Sequence, residues 1–213
     1  MVPIGQDFPV LLKGNEVTLR SLEPSDAPML AQAASENRET YKFSPVPQGE
    51  ERAREYVQRA LKQKTDGERF PYAIIWRDRV VGTSSYAEFK YWSRLGQPPR
   101  PGPDVVEIGY TWLAASAQRT GCNTEAKFLL LEFAFEKWNV ERVSLRTDER
   151  NVRSRNAILR LGAKFEGVRR ADMLSVDGTV RHSAYYSIVQ SEWPEIKKGL
   201  RAKLSLGSHE TGR

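Results

Sequence analysis

The residues of this chain whose types and spacing could do chemistry gather between positions 107 and 124, EIGYTWLAASAQRTGCNT. Their order reads as strand, short loop, glycine, helix. A helix begun in this way leaves first-turn N–H groups without intrahelical partners and carries a partial positive charge there. Gly121 has no Cβ, so an anion can come close to the backbone, and Arg119 adds a flexible counter-charge. That is the chemistry of a pyrophosphate cradle. The six residues Gln118 to Asn123 also fit a plain strand-to-helix turn in which glycine relieves strain, and Q-x-x-G alone does not separate the two.

Other reactive groups are sparse. One cysteine excludes an internal disulfide, and one Cys with two His in 213 residues leaves no metal-ligand cluster of usual spacing, so no metal is expected. Cys122 stands inside the cradle and reads as a small residue rather than a nucleophile. The excess of 33 Lys and Arg over 27 Asp and Glu is spread along the chain, and only NVRSRNAILR, with Arg150 just before it, is locally dense. With no finger or aromatic-studded RNA-binding signature beside it, this charge suits a solvated surface or one polyanionic small ligand, not nucleic acid. Neither GxGxxG nor GxxxxGK[ST] occurs, which disfavours nicotinamide and nucleoside-triphosphate enzymes. No apolar run is long enough for a membrane span, and MVPIGQDFPVLLKGNE lacks the order of a secretory signal. The expectation is a cytoplasmic chain with no membrane partner.

The elements that must position residues 107–124 follow from periodicity and turn chemistry. Residues 16–20 alternate as a strand, and helices fit 24–36 and 49–64. Strands 72–76 and 80–86 flank a turn at Arg77-Asp78-Arg79. Residues 92–104, with four prolines and two glycines, read as a loop with potential mobility. Strand 105–113 leads to a helix over 121–138 with Phe128, Leu131, Phe135 and Trp138 on its buried stripe. Strand 142–147, helix 151–161 capped by Gly162, and strands 164–175 and 180–190 around Asp177-Gly178 complete the sheet. A last helix opens at Ser191 and reaches about Lys203. This order predicts one α+β domain over 16–203, an extension over 1–15 and a frayed tail over 204–213.

Gln118-Arg119-Thr120-Gly121-Cys122-Asn123 resembles the acetyl-CoA motif Q/R-x-x-G-x-G/A of the GCN5-related N-acetyltransferase (GNAT) superfamily, with Asn123 departing from the usual Gly or Ala. Asn151, Ser154, Gly162 and Glu166-Gly167 resemble its N-x-x-S/A…GF…EG element in the same register. The resemblance covers about 16–190 and is closest to the RimJ/RimL-type branch, which acetylates N-terminal amines of ribosomal proteins. It implies the GNAT fold, a mixed central sheet of about seven strands flanked by helices, with a splayed strand pair at the acetyl-CoA site. The main chain of Thr111, Trp112 and Leu113 would then hold the acetyl carbonyl and pantetheine arm. Amides of Gln118, Arg119, Thr120, Gly121, Cys122, Asn123 and Thr124 would take the pyrophosphate. Asn151 would bond the pantetheine arm, and Arg153 or Arg155 would offset charge on the adenosine phosphate, unless those arginines are a solvated helix face.

Acetyl transfer to an amine needs a neutral nucleophile, a polarised thioester carbonyl and a proton for the departing thiolate. Glu107 lies eleven residues before Gln118, the separation the resemblance implies for a general base. Val106, Ile108, Tyr110 and Trp112 form one apolar row and Glu107, Gly109 and Thr111 a more polar one, a parity that a bulge would shift. The other reading of Glu107 is a structural carboxylate. Many relatives place a proton-donating tyrosine where this chain has Ile158, so Ser154 takes that role, or else serves as a helix cap. The resemblance thus implies direct transfer from acetyl-CoA to a protein or peptide N-terminal amine. A small-amine acetyltransferase and a non-catalytic acyl-CoA-binding protein are the alternatives. Monomer and homodimer are both open; Trp92, the Pro-rich loop and the 24–66 helices lie where substrate-facing loops fall in such a fold, and aromatics there are more commonly core than part of an acceptor groove.

Overall fold

A computed structural model describes residues 8–96, 98 and 100–207. The elements in chain order are β1 (Leu11–Lys13), β2 (Val17–Ser21), α1 (Ala27–Ser35), α2 (Gly49–Thr65), β3 (Arg69–Trp76), β4 (Arg79–Lys90), β5 (Val105–Leu113), α3 (Cys122–Glu136), β6 (Arg142–Asp148), α4 (Val152–Arg160), β7 (Lys164–Leu174), β8 (Val180–Val189) and α5 (Trp193–Gly207). The strands form one eight-stranded sheet in the order β1-β2-β3-β4-β5-β6-β8-β7. The architecture is α+β, with one strand more than the seven expected. The extra strand, β1, lies inside the expected N-terminal extension and pairs with β2 at the sheet edge; its three residues are too few to alternate legibly.

Local chemistry sets the turns. Arg77 and Asp78 both take left-handed backbone (φ 51° and 59°), giving a two-residue hairpin turn with β4 restarting at Arg79. The β7–β8 turn uses Gly178 at φ 77°, with Asp177 Oδ1 accepting from the Thr179 N–H and hydroxyl. Gly162, at φ 97°, follows α4 as expected. The last helix is led by a 3-10 turn at Gln190–Glu192 and runs to Gly207, beyond the expected Lys203. Of the expected end segments, 1–7 and 208–213 lie outside the described residues.

Helices α1 and α2 pack on one face of the sheet, α3 and α5 on the other. The expected stripe on α3 is present, but burial goes round the helix, including Glu125, Lys127, Leu129 and Leu130. A helix held between a sheet and a second helix has no solvent face to keep polar. Phe135 stacks on Trp193 of the 3-10/α5 junction at 5.2 Å. Trp138, just past the helix end, packs among Phe8, Tyr86, Phe89 and Phe133.

Among the described strands only β5 and β6 pair in parallel, and their pairing stops early. The register Val105↔Arg142, Val106↔Val143, Glu107↔Ser144 ends there, although β5 continues to Leu113 and β6 to Asp148. From Glu107 onward β5 keeps β4 and β6 keeps β8 as neighbours, so the two strands part in a V. No described helix is long and apolar enough to cross a membrane.

Candidate active site

The V is the centre of the site. Past Glu107, the β5 edge that faces β6 has no strand partner, which leaves main-chain groups for an extended ligand arm. A bulge shapes this edge. Thr83 pairs with Trp112 and Ser85 with Gly109, so one extra residue of β5 is accommodated at Tyr110, whose φ is 52°. The bulge corrects the expected rows. Glu107 and Gly109 share the face of Ala87 and Ser85, whereas Thr111 turns to the opposite face and meets Ser84. Trp112 crosses the other way, to pack on Tyr41 and Tyr56. Tyr110 leaves the apolar row: it is 43% exposed and lies over the Arg69 guanidinium at 3.9 Å.

At the open end of the V stands the start of α3. Gly121 has φ −66° and ψ −17°, an ordinary right-handed conformation, and a Cβ built on it would meet nothing within 4 Å. Strain relief is therefore not why glycine is there; what it leaves is open space against the backbone. The Cys122 N–H is taken by Thr120 Oγ1 and the Glu125 N–H by the Gly121 carbonyl. First-turn donors of Gly121, Asn123 and Thr124 point out of the helix start. Arg119 is exposed with φ 61°, a left-handed conformation that costs energy in a non-glycine residue and shapes the loop. Donor groups, dipole and free volume fit a diphosphate. The Cys122 thiol is buried and pushed up to about 12 by that burial, so it is no nucleophile.

Side chains fasten this loop. Gln118 Nε2 donates to the Leu113 carbonyl at 2.8 Å and to Thr40 Oγ1 at 3.2 Å. Tyr41 Oη donates to the same Leu113 carbonyl at 2.9 Å, so two side chains hold that carbonyl. Arg153 reaches from α4 to the Thr40 carbonyl and Gln118 Oε1. Arg153 thus contacts the loop before α3, whereas the Arg155 guanidinium bonds Tyr186 Oη and the Glu149 carbonyl. Arg150 is likewise spent on Asp148 and Asp177. Asn151 is the N-cap of α4, accepting from the Ser154 N–H at 3.1 Å, so the cap at this helix start is Asn151 and the Ser154 hydroxyl takes no part in it.

On the Glu107 face, a cleft of ≈ 700 Å³ opens between β4, β5, β6, β7 and β8. Glu107 lines it, 5% exposed, with Arg146 Nε 3.1 Å from its Oε2. Burial pushes the Glu107 carboxyl above its usual range, against the opposing pull of Arg146. Arg146 also reaches Glu88 at 3.3 Å and Tyr185 Oη at 3.1 Å. Trp92 borders the cleft half-exposed, and its main-chain N–H donates to Asp104 Oδ2 at 2.6 Å. Asp104 also pairs with Arg94 and Arg100, so the irregular Pro-rich segment is fastened at its base.

Sequence reasoning did not find Arg146, Tyr110, Arg69 or Lys127. The alternation Arg142-Val143-Ser144-Leu145-Arg146 was visible, but its polar row meets Glu107 only through the parallel register. Arg69 is buried, and its acceptors among the described residues are neutral: Ser85 Oγ at 2.7 Å, Tyr56 Oη at 3.2 Å and Gln63 Oε1 at 3.4 Å.

Comparison with known proteins supports the same reading of this geometry. Residues 16–164 match the family model described as acetyltransferase (GNAT) domain. The Bacillus subtilis (strain 168) protein YdaF, whose name describes a ribosomal N-acetyltransferase, is 30% identical over 187 residues, covering 85% of this chain and 96% of its own. A crystal structure from T. thermophilus named as an acetyltransferase superposes with TM-score 0.77 at 32% identity, covering 92% of this chain and 98% of that one. Mycobacterium smegmatis RimJ in complex with CoA-disulfide shares the fold at TM-score 0.72 and 19% identity, over 88% of each chain.

Proposed function

We propose that this chain, which belongs to the GNAT acetyltransferase family, acetylates the N-terminal amine of a protein or peptide with acetyl-CoA as donor. The relative named as a ribosomal N-acetyltransferase supports that acceptor class, and the neighbour crystallised with a CoA species supports the donor. The observation that supports the reading is the parting of β5 from β6 at Glu107, with the glycine-led start of α3 following the open end of β5 and a carboxylate-bearing cleft beside the vertex.

Acetyl-CoA would supply the activated acyl group. The chain's own groups would do the rest. Main-chain donors at the start of α3, with Arg119 and Arg153 near them, would hold the diphosphate. The unpaired edge of β5 around Thr111 and Trp112 would align the arm as an added strand and polarise the carbonyl. Asn151, while capping α4, would offer its amide N–H groups to the pantetheine arm. Glu107 would take the amine proton, directly or through water; its burial raises its basicity and so suits that task. The Ser154 hydroxyl, free of the helix cap, would donate to the departing sulfur. Transfer is then direct within a ternary complex.

Thiol release from acetyl-CoA, measured against peptides with free N-termini and against small amines, tests the acceptor. Turnover of peptides with N-terminal acetylation seen by mass spectrometry is the expected result. Turnover confined to small amines would replace the acceptor class, and CoA binding without any turnover would replace the enzymatic reading.

A further inference from the structure

Lys127, on the sheet-facing side of α3, has no role in the chemistry described so far. Its side chain is buried, and its Nζ donates to Thr111 Oγ1 at 2.6 Å and to Ser84 Oγ at 3.3 Å. These hydroxyls lie 2.8 Å apart, and Thr111 Oγ1 donates onward to the Gly109 carbonyl at 3.2 Å. The relay therefore runs from the ammonium to both sides of Tyr110, spanning the bulge.

Among the described residues Lys127 makes no ion pair. The carboxylate whose field favours its charge is Glu107, itself paired with Arg146 on the other face of β5. Burial pushes the ammonium down to about 7. A buried cation with hydroxyl partners alone is a burden on folding, and an apolar chain of the same length would fill the space at less cost. What the cation gains is position: it stands directly behind the strand that parts from β6, at the residue where the parity changes.

We propose that Lys127 is a positioning residue for acetyl transfer. Through Thr111 its ammonium fixes the bulge at Tyr110 and sets positive charge behind the main-chain groups that face the acetyl carbonyl, where negative charge develops. This rests on the acetyl-transfer reading above and adds a residue to it.

The test is Lys127→Met, with Thr111→Val as a second variant that cuts the relay at nearly constant volume. Lys127→Met should lower kcat by roughly tenfold to a hundredfold, leave CoA affinity by calorimetry within about twofold, and raise the melting temperature by about 2 °C or more. Hydrogen exchange in a peptide covering 109–112 should accelerate in both variants. The double variant should lose no more kcat than the worse single one, because both changes interrupt one path. Unchanged kcat, a parallel loss of CoA affinity and melting temperature, or unchanged exchange at 109–112 would each overturn the proposal. A wild-type protein that acetylates no amine would instead overturn the acetyl-transfer reading, while the exchange result still judges the relay.

Discussion

Replacing Gly121 by valine separates the needs of the fold from those of the ligand. The residue sits at φ −66° and ψ −17°, where any L-amino acid is at ease, and its Cβ direction is empty to 4 Å. Two small backbone effects oppose each other: a side chain here restricts the unfolded chain, and the helix start prefers glycine to an apolar residue. Stability should change by no more than about 1 kcal/mol, a shift of a few degrees in melting temperature. Binding should respond differently. The added methyls stand where a diphosphate must approach the N–H groups of Gly121, Asn123 and Thr124. A hydrogen bond to a charged group is worth about 1.5–3 kcal/mol. Loss of one such bond weakens CoA binding by roughly tenfold to a hundredfold. Titration calorimetry with CoA gives the affinity, and a melt with and without saturating CoA gives the same quantity by linkage. A folded Gly121→Val protein that binds CoA as tightly as the wild type would refute the cradle.

Three further outcomes are expected. If Glu107 is the base, its raised carboxyl makes the rate climb with pH through a value above the usual glutamate range, and Glu107→Gln should remove that limb from the pH–rate profile; an unaltered profile would remove Glu107 from the role. Gly82→Ala would drive a Cβ to 2.0 Å from the Trp112 carbonyl oxygen, so it should cost about 1–3 kcal/mol in urea unfolding and disturb CoA binding together with stability. Asp148 is buried beneath the Arg150 guanidinium, whose hydrogen bonds hold its carboxyl below the usual range. Its contribution is complete above the unfolded carboxylate pKa and is lost as pH falls through the lower folded value. Asp148→Asn should therefore destabilise the protein on the order of 2 kcal/mol at neutral pH, with the difference from wild type shrinking as acid is added.

Much of the frame was legible because it rests on local chemistry. Asp177-Gly178, Gly162 and the apolar periods of strand 105–113 act within a few residues, and the structure places those turns and strand bounds where the pattern put them. β1 was missed because three residues carry no period, and the end of α5 because its final turn has neither proline nor a capping residue before Gly207. Arg153 and Arg155 show the limit within one helix. Two positions apart, they take different partners, Gln118 for Arg153 and Tyr186 of β8 for Arg155, and those partners come from elements far away in sequence.

The parting of roles along β5 was hidden for a further reason. Strict alternation puts Glu107 and Thr111 on one face; Gly109 allows a bulge in this strand but does not place it at Tyr110, since tyrosine is a rare occupant of left-handed backbone. Groups outside the strand contact this stretch, among them Thr83 Oγ1, which donates to the Tyr110 carbonyl at 3.1 Å. Arg69 holds its ring from one face, and Lys127 holds Thr111 from the other. The bulge thus divides the labour of β5. It leaves Glu107 lining the cleft with a carboxyl raised by burial, and turns Thr111 away toward the buried Lys127 behind the strand. A continuous strand would set the hydroxyl, and the cation it carries, on the side of the base. If Glu107 is the base and Lys127 the positioning residue, the bulge puts a proton acceptor in front of β5 and a buried amine behind it, the two sides that acetyl transfer to an amine would use.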